Sequence, residues 1–158
     1  MTFNNIEVLK KAGFIGFKKM SDLFVDSSML PDGSGVYLIL NSDNKSAEFL
    51  AVGSGGHFKG KNPNLSITEL KSNWVDNTKV VYIGKATSLK SRLRQYFGFG
   101  QGRNIGHYGG RIIWQLKYSR DLLVCWKAIT TDPREFEADL IRQFVAIYGH
   151  RPFANLKA

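Results

Sequence analysis

Residues 80–97 read VVYIGKATSLKSRLRQYF, and the fold turns on how this stretch is parsed. Val80, Val81, Tyr82 and Ile83 form a β-branched and aromatic run suited to a strand, and Gly84 breaks it. Thr87 or Ser88 can cap a following helix. In that helix Leu89, Leu93 and Phe97 recur at i, i+4 and i+8 as a core stripe, while Arg92 and Tyr96 share a second face. A strand delivering a phenol beside Lys85, Lys90, Arg92 and Arg94 suits the gripping of a phosphate. An ordinary strand–turn–helix reads the same way, so the other segments must decide.

Working outward, Leu30-Pro31-Asp32-Gly33-Ser34-Gly35 is dense turn chemistry that launches GVYLIL, residues 35–40. Period two sets Val36, Leu38 and Leu40 on one face and Tyr37 and Ile39 on the other. DLLVCWKAI, residues 121–129, is the clearest buried strand. Asp132, Pro133 and Glu135 stand at N-cap, N1 and N3 of a helix carrying Phe136, Leu140, Phe144 and Ile147, which Gly149 ends. The expected architecture is α+β: a small, mainly antiparallel three-stranded sheet of 35–40, 79–83 and 121–129, flanked by helices. Short helices are expected at 4–11 and 21–25, a short strand at 48–52 and a helix at 67–75. A glycine-rich loop is expected at 98–110, a helix at 112–119, and an extended tail after Pro152. Residues 13–19, GFIGFKK, receive no assignment.

One domain, 1–158, is expected, with 1–34 as an N-terminal extension and 41–78 as an insertion. The formal charge of +9 favours a polyanionic partner, nucleic acid before membrane, because no basic helix with a broad apolar face stands out. The single cysteine, Cys125, sits in an apolar run and reads as a buried thiol in a reducing cytoplasm. No signal-type region or transmembrane-length run is evident.

Four elements in order resemble the GIY-YIG nuclease superfamily. Its namesake tripeptides stand here as Gly35-Val36-Tyr37 and Tyr82-Ile83-Gly84. Arg92 lies ten positions beyond Tyr82, Glu137-Ala138-Asp139-Leu140-Ile141 matches an E-x-x-L-I element, and Arg151-Pro152-Phe153-Ala154-Asn155 matches a closing R-P-x-x-N. The stretch from Tyr82 to Phe97 resembles the N-terminal nuclease domain of the excision-repair incision subunit. The separation of 45 positions from Tyr37 to Tyr82 is instead similar to that in type II restriction members with long insertions.

The resemblance implies a metal-dependent DNA endonuclease, restriction-like or defence-related, with a structure-specific repair or recombination nuclease as the rival. A non-catalytic nucleic-acid-binding module is the rival from another class. It further implies that Glu137 ligates Mg²⁺, with Mn²⁺ able to substitute, and that Arg92 clamps the phosphate. Tyr37 or Tyr82 would orient or deprotonate the water, with Lys85 lowering the phenol's pKa. Tyr96 and Asn155 would position the phosphate or its neighbours. With one site per chain, a homodimer is one route to cutting both strands.

The loop GSGGHFKGK lacks G-x-x-x-x-G-K-[ST], so a nucleoside triphosphate is not an expected ligand. Its His57, Lys59 and Lys61 read as DNA contacts or as a solvated loop. Arg103, His107 and Arg111 read as a second such set.

Overall fold

The computed structural model describes residues 2–43 and 45–156; Asn44 of the expected 41–46 turn and the last two residues of the expected tail lie outside them. Four strands form one antiparallel sheet in the order β1-β4-β2-β3, with β1 Ile15–Lys19, β2 Gly35–Leu40, β3 Val80–Ala86 and β4 Leu123–Ala128. The helices are α1 Ile6–Lys11, α2 Met20–Val25, α3 Ile67–Asn73, α4 Leu89–Gly100 and α5 Pro133–Tyr148. The α+β class and antiparallel sheet are as expected and are compatible with the fold that the resemblance implies. The strand number is four rather than three.

The added strand is β1, from the unassigned GFIGFKK. It pairs with β4 alone and carries an irregularity between Gly16 and Lys18. Two successive residues there, Gly16 and Phe17, have φ of 99° and 54°. Within the N-terminal extension, Ile15–Lys19 thus supplies one edge of the sheet. Other differences are local. Residues 48–52 contribute only an isolated bridge, Phe49 to Leu116. The stretch 112–119 forms two 3₁₀ turns, Arg111–Gln115 and Ser119–Asp121, rather than one α-helix. Helix α4 continues through Gly98 to Gly100, so the expected loop begins later.

Period-two alternation places the two faces of β2 as expected. Tyr37 and Ile39 join Val81, Tyr82, Val124 and Trp126 under α2 and α4. Val36, Leu38 and Leu40 join Ile83, Cys125 and the Leu140 and Phe144 stripe of α5 on the other face. Cys125 is a buried free thiol. Ser88 caps α4 by accepting from Ser91 N–H, and Asp132 caps α5 by accepting from Arg134 N–H. Gly149, at φ 70°, closes α5 in the left-handed conformation. No helix among the described residues is long and apolar enough to cross a membrane.

The free edge of β3 is covered by the chain beyond α5. Ala154 N–H donates to the Val81 carbonyl at 2.8 Å. The Asn155 side chain accepts from Ile83 N–H at 2.9 Å and donates to the Ile83 carbonyl at 2.8 Å. An edge strand's orphan polar groups are thereby satisfied.

Candidate active site

The site forms where β2, β3, α4 and the first turns of α5 meet. Tyr37 lies opposite Gly84 in the β2–β3 register. Its ring crosses the Gly84 backbone so closely that a Cβ on Gly84 would stand 2.2 Å from the Tyr37 ring. Gly84 therefore admits the Tyr37 phenol to the edge of β3. Tyr82 meets it there, with ring centroids 6.0 Å apart in an edge-on arrangement. Gly110, at φ 71°, lies against Tyr82 and Tyr96, and a Cβ there would come within 2.7 Å of the Tyr82 ring.

Tyr37, Tyr82, Lys85, Arg92 and Glu137 line one open cleft of about 650 Å³, with Thr87, Gly109 and the Asp132–Arg134 turn completing its wall. The Lys85 ammonium pairs with Glu137 at 3.3 Å. The Glu137 side chain is 17% exposed and that of Lys85 is 42% exposed. Arg92 donates to Gln95 at 3.3 Å and extends its charge to both phenols and to His107. A cleft of about 780 Å³ elsewhere, at the far end of β2 and β3 around Asn41 and Thr78, gathers none of these residues.

Burial governs the phenols. It raises Tyr37 well above the usual tyrosine value, with Tyr82 and Tyr96 adding to the shift. It pushes Tyr82 up to about 12, opposed by the Tyr37 hydroxyl and then Arg92. The expected lowering by Lys85 is not found: desolvation, with the Glu137 charge adding to it, outweighs the Tyr37 hydroxyl and Arg92, and Lys85 is held by Glu137. Both phenols are neutral at neutral pH. The Tyr37 hydroxyl favours the Tyr82 anion, and the Glu137 charge opposes it.

Three expected site residues are placed differently. Tyr96 is fully buried, and its hydroxyl is spent on the Gly110 carbonyl at 2.7 Å. Asn155 lines a neighbouring hollow, but its amide is committed at both ends to Ile83. Both fix the walls rather than face the cleft. His107 is buried against Tyr96, with ring centroids 4.5 Å apart. Burial pushes its imidazole down to about 3, so it is no cationic DNA contact in this conformation.

The remaining basic residues are not brought into the cleft. His57, Lys59 and Lys61 are exposed on the insertion, and Lys61 lies 5.8 Å from the centroid of the Tyr108 ring. Arg103 opens on a different hollow beside Arg94. Arg111 lies over Tyr108 at 4.3 Å and lines the hollow next to the cleft. Sequence reasoning passed over Gly109, Gly110, Tyr108 and the guanidinium of Arg151. The R-P-x-x-N element held the last of these in plain sight.

No cluster of three or more His, Cys, Asp or Glu side chains occurs among the described residues. Asp132, which also lines the cleft, is engaged with the backbone and guanidinium of Arg134. Among the described residues Glu137, the other carboxylate of this cleft, is paired with Lys85 alone, and its side chain makes no backbone hydrogen bond. A single carboxylate in an open cleft with room for water fits Mg²⁺, which retains several waters, and does not fit a closed zinc centre.

No protein-family model matches the chain. Among curated proteins it is similar to UvrABC system protein C of Nautilia profundicola, with 34% identity over 74 residues. That alignment covers 47% of this chain and only 12% of the curated protein's length. No solved structure matches.

Proposed function

We propose that the chain is a Mg²⁺-dependent DNA endonuclease of the GIY-YIG kind, with Mn²⁺ able to substitute. The observation that carries this reading is the convergence of Tyr37, Tyr82, Lys85, Arg92 and Glu137 on one cleft, from strands, helices and sequence positions far apart. The similarity to UvrABC system protein C supports a nuclease reading independently of that geometry. Glu137 would hold the metal, which would supply positive charge to the leaving 3′ oxygen. Arg92 grips the non-bridging oxygens of the scissile phosphate by charge-assisted hydrogen bonds. Lys85 holds the Glu137 carboxylate in place and adds positive charge beside the phosphate. The neutral phenols orient the attacking water, and either would first have to give up its own proton to become the base that takes the water's.

Within the enzymes, the long insertion favours a restriction or defence role. The matched protein favours the structure-specific repair role and offers nothing for restriction. Residues from 1–34 and 41–78 share cores with the motif-bearing elements, which supports treating the chain as one domain.

The test is incubation of supercoiled plasmid and of branched duplexes with Mg²⁺, comparing wild type with Glu137→Gln and Arg92→Gln. Each variant should lose about 10²-fold or more in cutting rate. Discrete plasmid fragments would assign restriction, and cuts confined to junctions would assign repair. Absence of metal-dependent cutting by the wild type overturns the nuclease reading and leaves a nucleic-acid-binding module. Light scattering with and without DNA tests the dimer.

A further inference from the structure

We infer that Arg151, with Arg111 and Lys85, forms a second phosphate pocket that takes the backbone phosphate next to the one cut. The inference rests on the nuclease reading and deepens it. It makes the site one for a polynucleotide strand rather than for an isolated phosphodiester.

Beside the main cleft lies a hollow of about 290 Å³. Tyr82, Lys85, Gly109 and Glu137 line both, so the two spaces adjoin on either side of one wall. Arg111 and Arg151 line only the second. Three cations therefore face this hollow against one carboxylate, Glu137, which already pairs with Lys85. Neither Arg111 nor Arg151 has a carboxylate within ion-pair distance among the described residues.

Arg151 carries the strongest signal. Its Nε is buried and has no hydrogen-bond partner. An unpaired guanidinium N–H away from water is costly, and a small shift of this half-buried side chain towards the hollow it lines would let an anionic oxygen satisfy it. The arm is also pre-set: Arg151 precedes Pro152, which confines its backbone to extended conformations. Two residues on, Ala154 and Asn155 pin the same segment to β3. The Arg111 guanidinium rests on the Tyr108 ring, whose hydroxyl donates to the Asn62 carbonyl at 2.8 Å. A cation held on an aromatic face keeps its N–H groups free at the edge. Ile141 and Leu156 supply an apolar floor on which a sugar can rest.

The experiment measures binding of a fluorescein-labelled duplex by anisotropy across a salt series, in EDTA so that no cutting intervenes. Arg151→Gln and Arg111→Gln should each weaken binding about tenfold. Each should lower the slope of log affinity against log salt by about 0.9, one phosphate contact. Arg151→Lys should keep the slope. Lys11→Gln, which removes an exposed cation of α1 outside both spaces, should leave it nearly unchanged.

An unchanged slope in folded Arg151→Gln overturns the pocket and leaves the nuclease reading intact, as does an equal fall with Lys11→Gln. Arg111→Gln carries the same expectation, so a failure of Arg151→Gln to fold does not shield the inference. A slope loss confined to the two arginine variants, in a wild type that never cuts DNA, keeps the pocket and removes the nuclease. No binding of the duplex at all removes both.

Discussion

Replacing His107 with phenylalanine should remove an acid-induced loss of stability. His107 is 1% exposed, and neither ring nitrogen makes a hydrogen bond of proper geometry, although the carbonyls of His107 and Gly109 lie near enough to favour the charged ring slightly. Desolvation, with the Arg92 charge adding to it, pushes the imidazole from 6.5 down to about 3. In the unfolded chain it titrates near 6.5. Below that pH the unfolded state takes up a proton that the folded state refuses. The stability is therefore complete above pH 6.5 and falls as pH drops towards 3. Between pH 7.5 and 5 the loss is about 2 kcal/mol, from roughly 1.5 units at ~1.4 kcal/mol each. In a chain of 158 residues that lowers Tm by about 4–8 °C.

Phenylalanine preserves the ring stack on Tyr96 and removes two buried nitrogens that lack partners. The variant should thus be no less stable than wild type at pH 7.5 and should lose about 4–8 °C less on going to pH 5. Circular dichroism melts of both proteins at the two pH values give the comparison, and differencing removes the contribution of the carboxylates. Parallel declines in the two proteins would refute the assignment of the acid transition to His107. A lower salt slope for DNA binding in His107→Phe would instead return the residue to the DNA surface.

Two further substitutions probe the walls of the cleft. Gly84→Ala places a methyl 2.2 Å from the Tyr37 ring, which is hemmed in by Tyr82 and Tyr96. It should cost about 1–3 kcal/mol in urea denaturation and disable cutting together, and an unchanged midpoint would show that Tyr37 moves aside freely. Asn155→Leu strands the Ile83 N–H and carbonyl at the sheet edge, so it should cost about 1–3 kcal/mol and speed hydrogen exchange at the Ile83 amide. Unaltered Ile83 protection alongside lost cutting would return Asn155 to direct work on the phosphate.

The elements that dominate the core were legible because their signals are local. GVYLIL alternates with period two and is β2 from end to end. Asp132, Pro133 and Gly149 bracket α5 at the expected residues because caps are read within a single turn. Strand β1 was not legible. It is five residues long, touches one partner strand, and spends two of its residues at positive φ, so it shows neither alternation nor a conventional turn. Positive φ at Phe17 pays off only through tertiary contact, which lies on no local pattern.

The same division runs through the site. Tyr37, Tyr82, Arg92 and Glu137 were named from motif spacing, and they do share a cleft. What spacing cannot convey is where a polar atom is spent. Tyr96 and Arg92 lie on one turn of α4, yet one hydroxyl is consumed by the Gly110 carbonyl while the guanidinium stays at the cleft. The difference is made by a loop fourteen residues away, and that loop is itself held from further off. Gln115 is buried, and its amide accepts from Leu65 N–H and donates to the Leu50 and Leu65 carbonyls. Tyr108 reaches Asn62, and Gly56 N–H donates to the Phe99 carbonyl. Residues 41–78 thus brace the segment carrying Gly109 and Gly110 against Tyr82. An insertion that reads as an excursion in sequence is, in three dimensions, the outer support of one wall of the cleft, and shortening it should disturb the phenols before it disturbs the sheet.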